Sequence, residues 1–83
     1  MSKSTATEAQ LQRIIEVLRI RPHTSYDLRR LGCYQAPARI KTLRDKGYQI
    51  TTDPVVIVDR DGYRHARVAL YTLVSEPEVH HEN

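Results

Sequence analysis

Residues 24–48 read TSYDLRRLGCYQAPARIKTLRDKGY. Leu28 and Leu31 are three apart, which puts them on one face of a short helix. Thr24, Ser25, Tyr26 and Asp27 match the S/T-x-x-[DE] pattern of a helix start, so this helix begins there and runs to about Leu31. Gly32 follows and can take the left-handed backbone that a sharp turn requires; Cys33 and Tyr34 complete the turn. Ala36, Ile40 and Leu43 recur at i, i+4, i+7, one face of a second helix. Pro37 belongs in its first turn, where a missing N–H costs nothing, so the start falls between Gln35 and Pro37. The helix ends near Lys46, with Gly47 as a left-handed terminator.

Upstream, Leu11, Ile14, Ile15 and Leu18 form a full amphipathic stripe, with Gln12, Arg13, Glu16 and Arg19 on the other side. Thr5-Ala-Thr-Glu8 fits a capping box, which predicts a start capped by Thr5 or Thr7, and Pro22 stops the helix. Downstream, residues 48–52 alternate as a short strand, and Val55–Val58 is a continuous β-branched run. Asp59-Arg-Asp-Gly62 is turn chemistry, with Asp-Gly the strongest short-range hairpin signal. Residues 63–74 return as a second strand, Ala66, Val68 and Leu70 on one face and His65 and Arg67 on the other. Tyr71 and Leu73 fall out of that alternation, which implies a bulge or a strand covered on both faces. The expected organisation is a loose end at 1–4, one domain over 5–75 and an acidic flexible tail over 76–83.

Eighty-three residues with 40% apolar and 28% charged content suit one small folded domain rather than a disordered chain. Without Phe or Trp, the core must be aliphatic with some of the five tyrosines: Leu11, Ile14, Ile15, Leu18, Leu28, Leu31, Ile40, Leu43 and Ile50 with one strand face. A single cysteine, Cys33, excludes an internal disulfide and a multi-cysteine metal site. No stretch is apolar enough for a membrane span or a signal peptide, so a cytoplasmic protein with no membrane partner is expected. The net charge of +3 is uneven: residues 19–48 hold eight Lys/Arg against two acids, while residues 75–83 hold three Glu and no base. A basic block of this kind suits a polyanionic partner.

A short helix, a tight turn and a basic helix make a helix-turn-helix, which lays its second helix in the major groove of double-stranded DNA. With the first helix and the hairpin added, the order is α+β: three helices followed by a β-hairpin wing. The run SYDLRRLGCYQAPARIKTLRDKGYQI resembles the DNA-binding core of winged helix-turn-helix regulators. It is similar to small phage and prophage proteins with an "LG…PARI..LR..GY.I" core, over roughly residues 8–74. The resemblance implies a small transcriptional regulator.

With Ala36, Ile40 and Leu43 inward, Gln35, Ala38, Arg39 and Thr42 are the candidate base readers. Gln suits adenine, Arg guanine, and Ala or Thr a thymine methyl. Lys41, Arg44 and Lys46 are the candidate phosphate contacts, with Tyr34 beside the turn and Arg60 and Arg64 at the wing tip. Arg29 or Arg30 can reach backbone or pair with Asp27. The surplus apolar face of Val55–Val58, or helix 1, suggests a homodimer contact. The rival reading is a protein-interaction module on the same scaffold, such as a phage protein binding a host factor.

Other patterns fail as sites. Asp59-x-Asp61-Gly62 lacks the first carboxylate and the closing Glu of a calcium loop. His80 and His81 are adjacent and share no helix face, Cys33 reads as a small half-buried turn residue, and His23 and His65 have no evident carboxylate partner. No catalytic residue, metal, cofactor or small-molecule substrate is expected.

Overall fold

The computed structural model describes residues 3–78, with side chains from residue 7. The elements are α1 (Lys3–Ile20), β1 (His23–Thr24), α2 (Ser25–Arg30), α3 (Ala36–Asp45), β2 (Gln49–Val58) and β3 (Arg64–Ser75). Helix α1 begins at Lys3, so Thr5 and Thr7 lie inside it and neither is its cap, and Lys3 and Ser4 are helical where a loose end was expected. The sheet has three antiparallel strands in the order β1-β3-β2, one more than the expected hairpin. The addition is β1, in which His23 pairs with Tyr71 and Thr24 with Leu70.

The local chemistry of α2 and α3 sets their ends. Thr24 and Asp27 form a reciprocal capping box: Thr24 Oγ1 accepts from the Asp27 amide at 3.0 Å and the Asp27 carboxylate accepts from the Thr24 amide at 3.0 Å. Both helices close with the same six-to-one and five-to-two bond pair around a left-handed glycine. After α2, Cys33 N–H donates to Leu28 O and Gly32 N–H to Arg29 O; after α3, Tyr48 N–H donates to Leu43 O and Gly47 N–H to Arg44 O. Gly47 sits at φ +107°, and a Cβ there would lie 3.0 Å from Pro77 Cβ. Gly47→Ala is therefore expected to cost about 1–2 kcal/mol in thermal denaturation, through backbone strain and displacement of Pro77.

One core binds the elements together: Leu11, Ile14, Ile15 and Leu18 of α1, Leu28 and Cys33, Ala36, Ile40 and Leu43 of α3, with Ile50 and Tyr71 from the sheet. Leu31 is only partly buried at its edge, and Cys33 is fully rather than half buried. The strand faces differ from the expectation. Tyr71, with Ala69 and Leu73 against it, packs on the main core; of the expected face Val68 is buried, Leu70 is half-buried and Ala66 is exposed. Strand β3 twice carries an extra residue against β2, between the Val55–Val68 and Ile57–His65 pairs and between Ile50–Leu73 and Gln49–Ser75. Arg67, in the first bulge, has φ +61°, so alternation counted from the tip does not carry through. Pro54 is tolerated because β2 is an edge strand.

The tail is anchored where it leaves the sheet. Glu76 accepts two bonds from the Arg19 guanidinium, both 2.8 Å, and that pairing holds its carboxyl below the usual carboxylate range. Residues 79–83, including His80 and His81, lie outside the described residues.

Candidate nucleic-acid interface

The α3 stripe fixes which side chains face solvent. At about 100° per residue, Ala36, Ile40 and Leu43 share the buried side, and Ala38, Lys41 and Asp45 point the opposite way. Thr42 and Gln35 lie beside them. Gln35, Ala38 and Lys41 are exposed, and Thr42 is half-buried with its hydroxyl donating to Ala38 O at 3.1 Å. Lys41 is paired to Asp45 at 3.4 Å across open solvent, an arrangement worth little and easily given up to a phosphate. Tyr34 projects just ahead of the helix, 71% exposed, with the Arg29 guanidinium 6.0 Å from its ring centre.

The two arginines of α3 occupy its flanks rather than its outer face. Arg39 leans toward α1, where its Nε donates to Gln10 Oε1 at 2.9 Å. Arg44 leans the other way and is bound to β2 through Ile50 O and Thr52 Oγ1. Lys46, just past the helix, is exposed and lines a shallow groove with Glu8, Leu11 and Gln12 of α1. Of the residues expected at the interface, α3 thus brings together Gln35, Ala38, Lys41 and Thr42. It turns Arg39, Arg44 and Lys46 to the sides.

Beyond α3 the hairpin of β2 and β3 projects as a wing, its tip organised by Asp59. Asp59 Oδ1 accepts from the Asp61 and Tyr63 amides at 3.0 and 2.9 Å, and Gly62, at φ +87°, closes the turn by donating to Asp59 O. Arg60 and Arg64 are exposed on either side.

A family model described as a winged helix-turn-helix domain matches residues 9–76. The chain belongs to the winged helix-turn-helix domain family. No curated protein and no solved structure matches it significantly. The helices, turn and wing described above are the parts of that domain, and β1 joins its first two helices. The fold is typically a non-enzymatic, DNA-binding one. Among the described residues no group of three or more His, Cys, Asp or Glu could hold a metal, and no helix is long and apolar enough to cross a membrane. Burial pushes the Cys33 thiol up, away from the thiolate a nucleophile needs.

The winged helix-turn-helix domain also holds contacts that sequence reading missed. His65 does have a carboxylate partner: its Nε2 lies 2.8 Å from Asp59 Oδ2, and its Nδ1 is 3.3 Å from the Tyr26 hydroxyl. The chain Asp59–His65–Tyr26 ties the wing tip to α2. The only advance signal was that a His and an Asp flank the turn, which gives no direction. His23 is buried with Nδ1 2.8 Å from Arg21 O, and Arg13 reaches from α1 to Leu31 O at 3.0 Å.

The His65 ring, followed by the Tyr63 amide, holds the Asp59 carboxyl below the usual carboxylate range. A carboxyl lowered on folding adds stability above its unfolded value of about 3.9, and that stability is lost as pH falls through the lower folded value. Acidification is therefore expected to loosen the wing tip locally, with the protection of the Asp61 and Tyr63 amides, relative to their intrinsic exchange rates, falling at pH below the unfolded value. Asp59→Ala, which removes the acceptor, should strip protection from the same amides, with that acid step gone; unchanged protection in this variant would refute the role of Asp59.

Proposed function

We propose that the chain binds double-stranded DNA sequence-specifically, with α3 in the major groove, as a small transcriptional regulator of the phage or prophage type. The observation that carries this reading is the outer face of α3. Gln35, Ala38, Lys41 and Thr42 share its outward side, and Gln35 and Ala38 lie at its N-terminal end, the part of a recognition helix that meets base edges. Lys41 and Lys46 supply phosphate contacts, with Tyr34 at the turn and Arg60 and Arg64 at the wing. The core resemblance at residues 31–50 supports the phage-type assignment.

A homodimer reading two half-sites fits the small number of base readers on one chain. Its support is Val56 and Val58, 50% and 64% exposed on the open edge of the sheet. Selection from random duplexes tests the whole reading: it should return one enriched motif, twofold-repeated if the dimer forms. Failure to enrich any motif would refute sequence-specific recognition.

A further inference from the structure

We propose that Arg44 is a positioning residue that sets the tilt of α3 against the root of the wing, and not a phosphate contact. Its functional half rests on the DNA-binding reading above.

Arg44 lies in the last turn of α3, on the flank that faces β2. Its Nε donates to Ile50 O at 2.9 Å, and its Nη2 donates both to Ile50 O at 2.7 Å and to Thr52 Oγ1 at 2.7 Å. Three donor contacts thus converge on two residues of one strand. Ile50 is itself fixed, because its side chain is buried in the core. The guanidinium therefore reaches from the recognition helix, across the turn at 46–48, to an immobile point at the base of the wing. The rigid planar fork makes this possible; a lysine ammonium is a point charge and cannot hold the same pair of acceptors in the same geometry.

The other α3 cations differ. Lys41 pairs with the exposed Asp45 on its own helix, a full turn away, so it can move to a phosphate at little cost. A phosphate could take the Nε and Nη2 donors of Arg44 only by stripping the Ile50 carbonyl of them, which leaves Nη1 as its one route to this side chain. Because α3 and the wing contact DNA at separate places, a change in their mutual angle degrades base readout while leaving the charge count unchanged.

The test compares Arg44→Lys, Arg44→Gln and Thr52→Val with the unmodified protein, at a temperature where circular dichroism shows each folded. Binding to the selected site and to random duplex is measured across a salt series. Arg44→Lys is expected to lose specific over non-specific affinity by roughly tenfold, the worth of about one base contact, and to lose as much as Arg44→Gln. Thr52→Val should shift in the same direction. The salt slope should stay unchanged in Arg44→Lys and Thr52→Val. If Arg44→Lys binds like the unmodified protein, or Arg44→Gln loses only about 0.9 from the slope, Arg44 is a phosphate contact and the proposal is wrong.

A DNA-free arm separates the two readings. In the free protein the Arg44 Nε–H should give a resolved NMR signal that exchanges slowly with water. A fast-exchanging signal overturns the strap whether or not the protein binds DNA. A slow signal in a protein that binds no duplex removes the DNA reading and leaves the strap standing.

Discussion

Leu28→Ala lowers the stability of the domain by about 3 kcal/mol, within the range of about 2–5 kcal/mol for a buried leucine cut to alanine. Leu28 is fully buried, at 0% exposure, in the middle of the core. It is the one core side chain supplied by the six-residue helix α2, so this helix has no second buried side chain to take up the loss. Its carbonyl also accepts from the Leu31 and Cys33 amides that form the turn into α3. A domain of this size has about 4–12 kcal/mol in total, so the substitution removes a large share. The midpoint of thermal unfolding should fall by roughly 12–24 °C. Ile20→Ala is the control. Ile20 is 79% exposed near the end of α1, and its removal should change stability by less than about 0.5 kcal/mol. A loss below about 1 kcal/mol for Leu28→Ala would mean that α2 is not held by this core.

Ala38→Glu abolishes the proposed DNA binding while leaving the fold intact. Ala38 is exposed, points directly away from Ile40 and Leu43, and lies in the first half of α3. Glutamate is a good helix former, so the helix tolerates it. In the groove, the new carboxylate meets acceptor-rich base edges and the phosphate field, and it occupies space that the methyl group left open. The loss of one or two base contacts at about 1–3 kcal/mol each, with repulsion added, predicts at least roughly a hundredfold weaker binding to the selected site. Circular dichroism and the thermal midpoint should stay within the range of other surface changes. Binding that persists in a folded Ala38→Glu protein would take α3 out of the groove.

The helical half of the fold was legible because its signals are local. The i, i+3, i+4 stripes, the Thr24–Asp27 box and the two glycines after α2 and α3 each act within a few residues, and each appears where the spacing put it. What escaped depends on distance. Strand β1 is two residues long and exists only because Tyr71 and Leu70 lie beside it. The bulge at Arg67 is a register property of two strands, invisible along one.

The candidate site was legible as a face and not as a set of partners. Charge and periodicity marked α3 as basic and outward. They cannot tell an arginine that waits for a phosphate from one already bound within the chain. Arg39 is expected among the outward base readers and Arg44 among the phosphate contacts; their positions on the helix flanks bring them against Gln10 and Thr52.

Affinity for a duplex over a salt series tests whether the outer face of α3 binds DNA. Binding should be sequence-dependent, with log K falling linearly with log salt at about 0.9 per phosphate neutralised and on the order of four to eight phosphates engaged. No detectable binding at about 50 mM salt, where even non-specific attraction is strong, would contradict DNA binding by this face.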